Sequence, residues 1–150
     1  MLASALTACG PSSQDVAFAR VASYDGPFDT VFATTRDRIA RDYPLQADPV
    51  ERRLATRWIQ IELVEADPHG PVYKGSLNAI TRNFVRFDID ILGGPPWIVD
   101  VRGHASTWKA DDAKPYVYPE AERPPFLESR ESALVLAIHN ALERCCRRRR

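Results

Sequence analysis

Residues 84–91 alternate without a break: Val85, Phe87, Ile89 and Ile91 are apolar, while Arg86, Asp88 and Asp90 are charged. That period of two marks a strand with one face buried and one face wet. Gly93-Gly94-Pro95-Pro96 then turns the chain, and Trp97, Val99, Val101 and Ala105 supply the next strand. Burial should set the register of this hairpin, because a slip of one residue exchanges the two faces. A loop of residues 93–96 pairs Ile91 with Ile98 and mixes the faces. Pairing Ile91 with Trp97 sets Ile89 against Val99 and Phe87 against Val101, so this second register is expected, with Leu92 left in the loop. On the outer face it places Asp88 opposite Asp100 and Arg86 opposite Arg102, with diagonal ion pairs Asp88–Arg102 and Arg86–Asp100.

The rest of the chain reads in the same way. Residues 16–22 alternate and suit a first strand. After Asp25-Gly26-Pro27, the residues Phe28, Val31, Phe32, Thr35 and Ile39 recur at helical spacing, and Pro27 suits the opening turn of that helix. Tyr43-Pro44 ends it, since the residue before a proline is pushed out of the helical region. Residues 54–65 form a β-prone run whose apolar parity switches at Trp58-Ile59, which suggests a bulge or burial on both sides there. Residues 72–80 are a weaker strand candidate broken by Gly75. Residues 109–125 hold four of the twelve prolines and predict a long loop pinned by Tyr116, Tyr118 and Phe126. A closing helix over 127–146 carries Leu127, Glu131, Leu134, Ile138, Ala141 and Leu142 along one face. These elements together predict one α+β domain.

Composition narrows the classes. At 150 residues, with hydrophobic residues at 45% and charged residues at 27%, the chain is of ordinary single-domain make-up. Twenty basic residues balance twenty acidic ones, which argues against a nucleic-acid partner. Without Arg147, Arg148, Arg149 and Arg150 the body carries 16 basic against 20 acidic residues, a net −4. This tail, with Arg144 behind it, is a candidate contact for anionic headgroups or other polyanions. Seventeen of the twenty basic residues are arginine throughout the chain, so the tail reads more simply as an inert solvated helix end.

Leu6-Thr7-Ala8-Cys9, followed by Gly10, resembles the lipobox of bacterial lipoproteins, in which the cysteine thiol receives a diacylglyceryl group. An apolar stretch at residues 2–8 precedes it and a polar Pro11-Ser12-Ser13-Gln14 follows it. A complete signal peptide has a basic n-region and a longer apolar core, so the natural start is expected upstream. The domain plan is thus a signal remnant at 1–8, a lipidated Cys9 with its tether at 9–15, the α+β domain at 16–146 and the basic tail at 147–150. Six residues, 10–15, would reach at most about 20 Å. With Cys9 acylated, the two remaining cysteines are the adjacent Cys145 and Cys146, which either close a strained eight-membered ring, pair with other chains or stay as two incidental thiols.

Candidate chemistry is sparse. His69, His104 and His139 lie on a turn, a strand and a helix, without a second ligand at metal-binding spacing, so neither metal nor cofactor is expected. Gly75-Ser76 lacks the glycine pattern of a nucleophile elbow, and the prolines after Gly93-Gly94 remove the amides a phosphate loop needs. The one constellation to test for acid–base work is His104 with Asp88 and Asp100, on a face that reads more simply as a solvated charge lattice. The expected class is not an enzyme.

Tyr24-Asp25-Gly26-Pro27-Phe28, Tyr43-Pro44 and Leu54-Ala55-Thr56-Arg57-Trp58, in the order strand, helix, strands, helix behind a lipobox, resemble the helix-grip domain of NlpB/DapX (BamC) lipoproteins. The resemblance spans residues 16–144, and the lipopolysaccharide-assembly lipoprotein LptE has a similar order. It implies an antiparallel sheet of four to five strands with two helices on one face. It also implies a lipid-anchored domain facing the periplasm, at the outer membrane rather than the inner, whose partners are the membrane and another envelope protein. A helix gripped by a sheet can instead leave an apolar cavity for a lipid-like ligand, here lined by Phe28, Phe32, Phe87, Trp97 and Leu134. If the lipobox is accidental, the chain is a cytosolic α+β domain.

Overall fold

The computed structural model describes residues 12–46, 52–62 and 81–146. Its first element corrects the expected strand at 16–22, because Ser13–Val21 is a helix, α1. Ser12 caps it, with the Asp15 amide donating to Ser12 Oγ at 3.1 Å. The alternation that suggested a strand is carried by alanines, the best helix formers, and Val16 and Ala19 share a helical face as well. The described residues therefore hold three α-helices where two were expected. Helix α2 spans Phe28–Ala40, buries Val31, Thr35 and Ile39, and stops short of Tyr43-Pro44.

The run at 54–65 divides where the parity switches. β1 is Arg53–Ala55 and β2 is Ile59–Ile61. Between them Thr56 bonds Phe87 twice, through its amide to the carbonyl at 2.9 Å and through its Oγ1 from the amide at 2.9 Å. The expected strand at 72–80 lies outside the described residues. β3 spans Thr81–Gly93 and β4 spans Trp97–Lys109, a hairpin of two thirteen-residue strands. The expected loop at 109–125 contains a two-residue strand β5, Tyr116–Val117, and a 3₁₀ turn at Glu120–Glu122. Helix α3, Pro125–Cys146, closes the chain.

The sheet is antiparallel, ordered β1–β3–β4–β5, with β2 beside β1 along the same edge of β3. The hairpin register corrects the sequence reading by two residues: Gly93 pairs with Trp97, Ile91 with Val99, Ile89 with Val101 and Asp88 with Arg102. A slip of two leaves every side chain on its own face, so burial could not separate this register from the expected one. The turn decides it. Gly93 adopts φ +85°, a conformation that favours glycine, and this tightens the connection so that Leu92 stays in the strand opposite Ile98.

The odd-numbered positions of the hairpin, among them Phe87, Ile89, Ile91 and Val101, face the helices. They pack against Val31 and Ile39 of α2 and Leu134, Ile138 and Leu142 of α3. Full burial of each large apolar side chain contributes about 1.5–3 kcal/mol, so this layer carries the fold. The architecture is α+β, with the helices packed on a five-stranded antiparallel sheet.

Candidate functional site

The even-numbered positions of the hairpin form the face turned away from the helices. Two charge clusters stand on it. Asp90 accepts from Arg53 Nε at 2.6 Å and from Arg102 at 2.5 Å, and Arg102 also reaches Asp100 at 3.2 Å. Hydrogen bonds from Arg53 lead the effects that hold the Asp90 carboxyl below the usual carboxylate range. In the second cluster, His104 Nε2 lies 2.9 Å from Asp88 Oδ2, and Arg86 approaches the same oxygen at 3.5 Å. The Arg86 guanidinium also sits over the Trp58 ring, 5.3 Å from its centroid.

The expected facing pair Asp88 and Asp100 does not form. Asp100 stands opposite Asp90, and Asp88 stands opposite Arg102, because of the two-residue shift in register. Arg86 likewise faces His104, not Arg102. The structure thus joins His104 to Asp88 and leaves Asp100 with Arg102 in the other cluster. Each carboxylate of the lattice is neutralised by an arginine, and the Asp88–His104 pair could orient an imidazole. A cavity of about 110 Å³ opens beside it, lined by Arg102, His104, Tyr118, Glu120 and Arg123.

Sequence reasoning placed Glu131 on the packing face of the last helix but assigned it no role, and the structure gives it three donors. Glu131 of α3 is 4% exposed. It accepts from Arg20 of α1 at 2.5 Å, from Arg123 at 2.6 Å and from the Gly103 amide of β4 at 2.6 Å. Burial alone would raise its pKa, but these three donors outweigh burial and hold it below the ordinary value. Gly103 makes the approach possible, since a Cβ there would stand 2.7 Å from Leu127 Cδ1 and 2.8 Å from Glu131 Oε2. The signal was present in the sequence as a lone acid within the apolar stripe of the last helix.

Of the five residues named for an apolar cavity, Phe87, Trp97 and Leu134 are buried in the core, and Phe28 and Phe32 pack against it partly exposed. Phe28 stacks on Phe32 at 5.5 Å and on Trp97 at 5.3 Å, while Phe87 meets Tyr43 at 4.9 Å and Leu134 is buried. Arg52 covers the Phe28 and Trp97 rings at 5.7 and 5.2 Å. His139 is buried and shares a 2.8 Å hydrogen bond with the Tyr24 hydroxyl, whose pKa burial pushes upward. Cys145 and Cys146 are bonded to each other at the end of α3, the ring form of the adjacent pair. Arg144 is exposed in the last turn of that helix. Cys9, His69 and Arg147, Arg148, Arg149 and Arg150 lie outside the described residues.

Among the described residues, no group of three His, Cys, Asp or Glu side chains could hold a metal ion, and no helix is long and apolar enough to cross a membrane. No protein-family model matches the chain, and no curated protein matches it.

Proposed function

We propose that the chain is a lipid-anchored interaction domain of the bacterial cell envelope. It would face the periplasm and support outer-membrane assembly or structure, as the resemblance to NlpB/DapX (BamC) lipoproteins implies. The observation that carries this reading is the distance between Leu6-Thr7-Ala8-Cys9 and the fold. Helix α1 begins at Ser13, so residues 10–12 separate Cys9 from the first helical residue. At about 3.3–3.6 Å per residue, an acylated Cys9 would hold the domain within roughly 14 Å of the bilayer surface. A tether that short suits a partner inside the membrane or lying on it. The wet face of the sheet, with its charge clusters and the exposed Trp58, Trp108, Leu92 and Ile98, offers polar and apolar contact to such a partner.

The test is fractionation and intact mass of the chain expressed from its own locus, beside Cys9→Ala. The reading expects a membrane-bound protein that begins at an acylated Cys9, and a variant that stays unprocessed. A soluble chain that keeps residues 1–8 and carries no acyl group would end it. Crosslinking in cells from Trp108 or Ile98 would then identify the envelope partner.

A further inference from the structure

The three tryptophans of the chain have different surroundings. Trp97 is buried, its indole N–H donates to the Gly26 carbonyl at 3.0 Å, and the Arg52 guanidinium covers its ring. Trp58 is exposed, and Arg86 covers its ring. Trp108 is 40% exposed and carries neither a guanidinium nor another ring on its faces among the described residues. Two cations nevertheless stand next to it. Arg82 is its direct partner across the β3–β4 ladder, and Lys109 follows it in the chain. Neither of these side chains has a hydrogen bond or ion pair among the described residues, whereas Arg53, Arg86 and Arg102 of the sheet each meet a carboxylate.

The turn after β4 holds the Trp108 ring in place. Its Nε1–H donates to the Asp112 carbonyl at 3.0 Å, and the Asp112 amide donates to the Lys109 carbonyl at 3.0 Å. The Lys109 amide in turn donates to the Asp112 carboxylate at 3.3 Å. The one polar atom of the indole is thus used inside the protein, and what the ring offers to solvent is carbon. Beside it lies a concavity of about 270 Å³, lined among the described residues by Arg82, Trp108, Lys109 and Ala110. The two acids of the turn, Asp111 and Asp112, are not in that lining.

We propose that this concavity binds a nucleoside monophosphate, with the base stacked on Trp108 and the phosphate held by Arg82 and Lys109. Every polar side chain in the lining is a donor, so the ligand must bring acceptors and negative charge, as phosphate oxygens do. The rest of the ligand must be flat, because an open indole face gains most from another π-face, and any base supplies one. A bare sugar ring fits less well, since its hydroxyl protons need acceptors that these side chains lack. Size points the same way. Small-molecule sites start at about 300 Å³, so this one suits a single nucleotide and not a strand. The assignment goes beyond the envelope reading and holds whether or not Cys9 is acylated.

The test is a titration of the full chain carrying Cys9→Ala with AMP, read by calorimetry and by the indole N–H resonances, Trp108 being assigned through Trp108→Phe. AMP should bind and move the Trp108 resonance while that of Trp97 stays in place. Trp108→Ala should weaken binding about tenfold, the share of one stacked base, and Trp108→Phe should keep most of it. Arg82→Gln and Lys109→Gln, both at exposed positions, should each weaken it and lessen its dependence on salt. Adenosine, ribose 5-phosphate and inorganic phosphate should each bind at least about tenfold more weakly than AMP, since each lacks one half of the contact. No binding of AMP at millimolar concentration overturns the proposal. So does ribose 5-phosphate binding as well as AMP, an oligonucleotide binding far more tightly than AMP, or unchanged AMP binding by Arg82→Gln together with Lys109→Gln.

Discussion

Gly103 and Glu131 show how one absent side chain admits a charge. The 2.6 Å bond from the Gly103 amide requires the helix to approach the strand more closely than a Cβ allows. Gly103→Ala should therefore destabilise the fold by about 1–3 kcal/mol, the usual result of overpacking, read as a lowered denaturant midpoint with an unchanged slope. Glu131→Gln leaves the partly exposed Arg20 and Arg123 facing a neutral amide, and should cost about 1–3 kcal/mol. The acid also sets a pH dependence. Its folded pKa lies below the ordinary 4.5, so its stabilising effect is complete above that value and is lost as the pH falls through the folded pKa. Asp90, lowered by Arg53, adds in the same direction. Urea midpoints should fall steadily in acid below pH 4.5, and Glu131→Gln should flatten that fall.

Among the elements, those whose pattern had one physical reading were legible. The β3–β4 strands, α2 and α3 follow from periodicity alone, and the parity switch at Trp58 marked the break between β1 and β2. Helix α1 was not legible, since seven residues that are largely alanine and valine satisfy periods of 2 and 3.6 together. Its cap, Ser12 with Asp15 three residues on, was the available arbiter. The hairpin register and the facing pair Asp88 and Asp100 failed together, because faces repeat every two residues while the turn fixes the register. Gly93 should thus be the sensitive position. Gly93→Ala, with φ +85° and a Cβ 3.3 Å from the Pro96 carbonyl, should cost about 1–2 kcal/mol, whereas Leu92→Thr on the wet face should change thermal stability by less than about 0.5 kcal/mol. For α1, Ser12→Ala should lose about 1 kcal/mol locally, seen as faster amide exchange in Ser13–Val21 ahead of global opening.

At the scale of the whole molecule, helices cover one sheet face, and the other carries charges that satisfy each other. Such a face holds its shape without a partner. The link from Arg20 through Glu131 to Gly103 adds a mechanical consequence. Any tension applied to the chain ahead of Ser13 enters at a short helix, where Arg20 passes load to α3 and to the middle of β4. The domain should respond to pulling as a stiff pendant, with strain arriving at the strand between Val101 and Ala105 before it reaches the hairpin tip. In a single-molecule pulling experiment from residue 9, Arg20→Ala should make α1 peel away as a separate low-force step, where the parent yields in one.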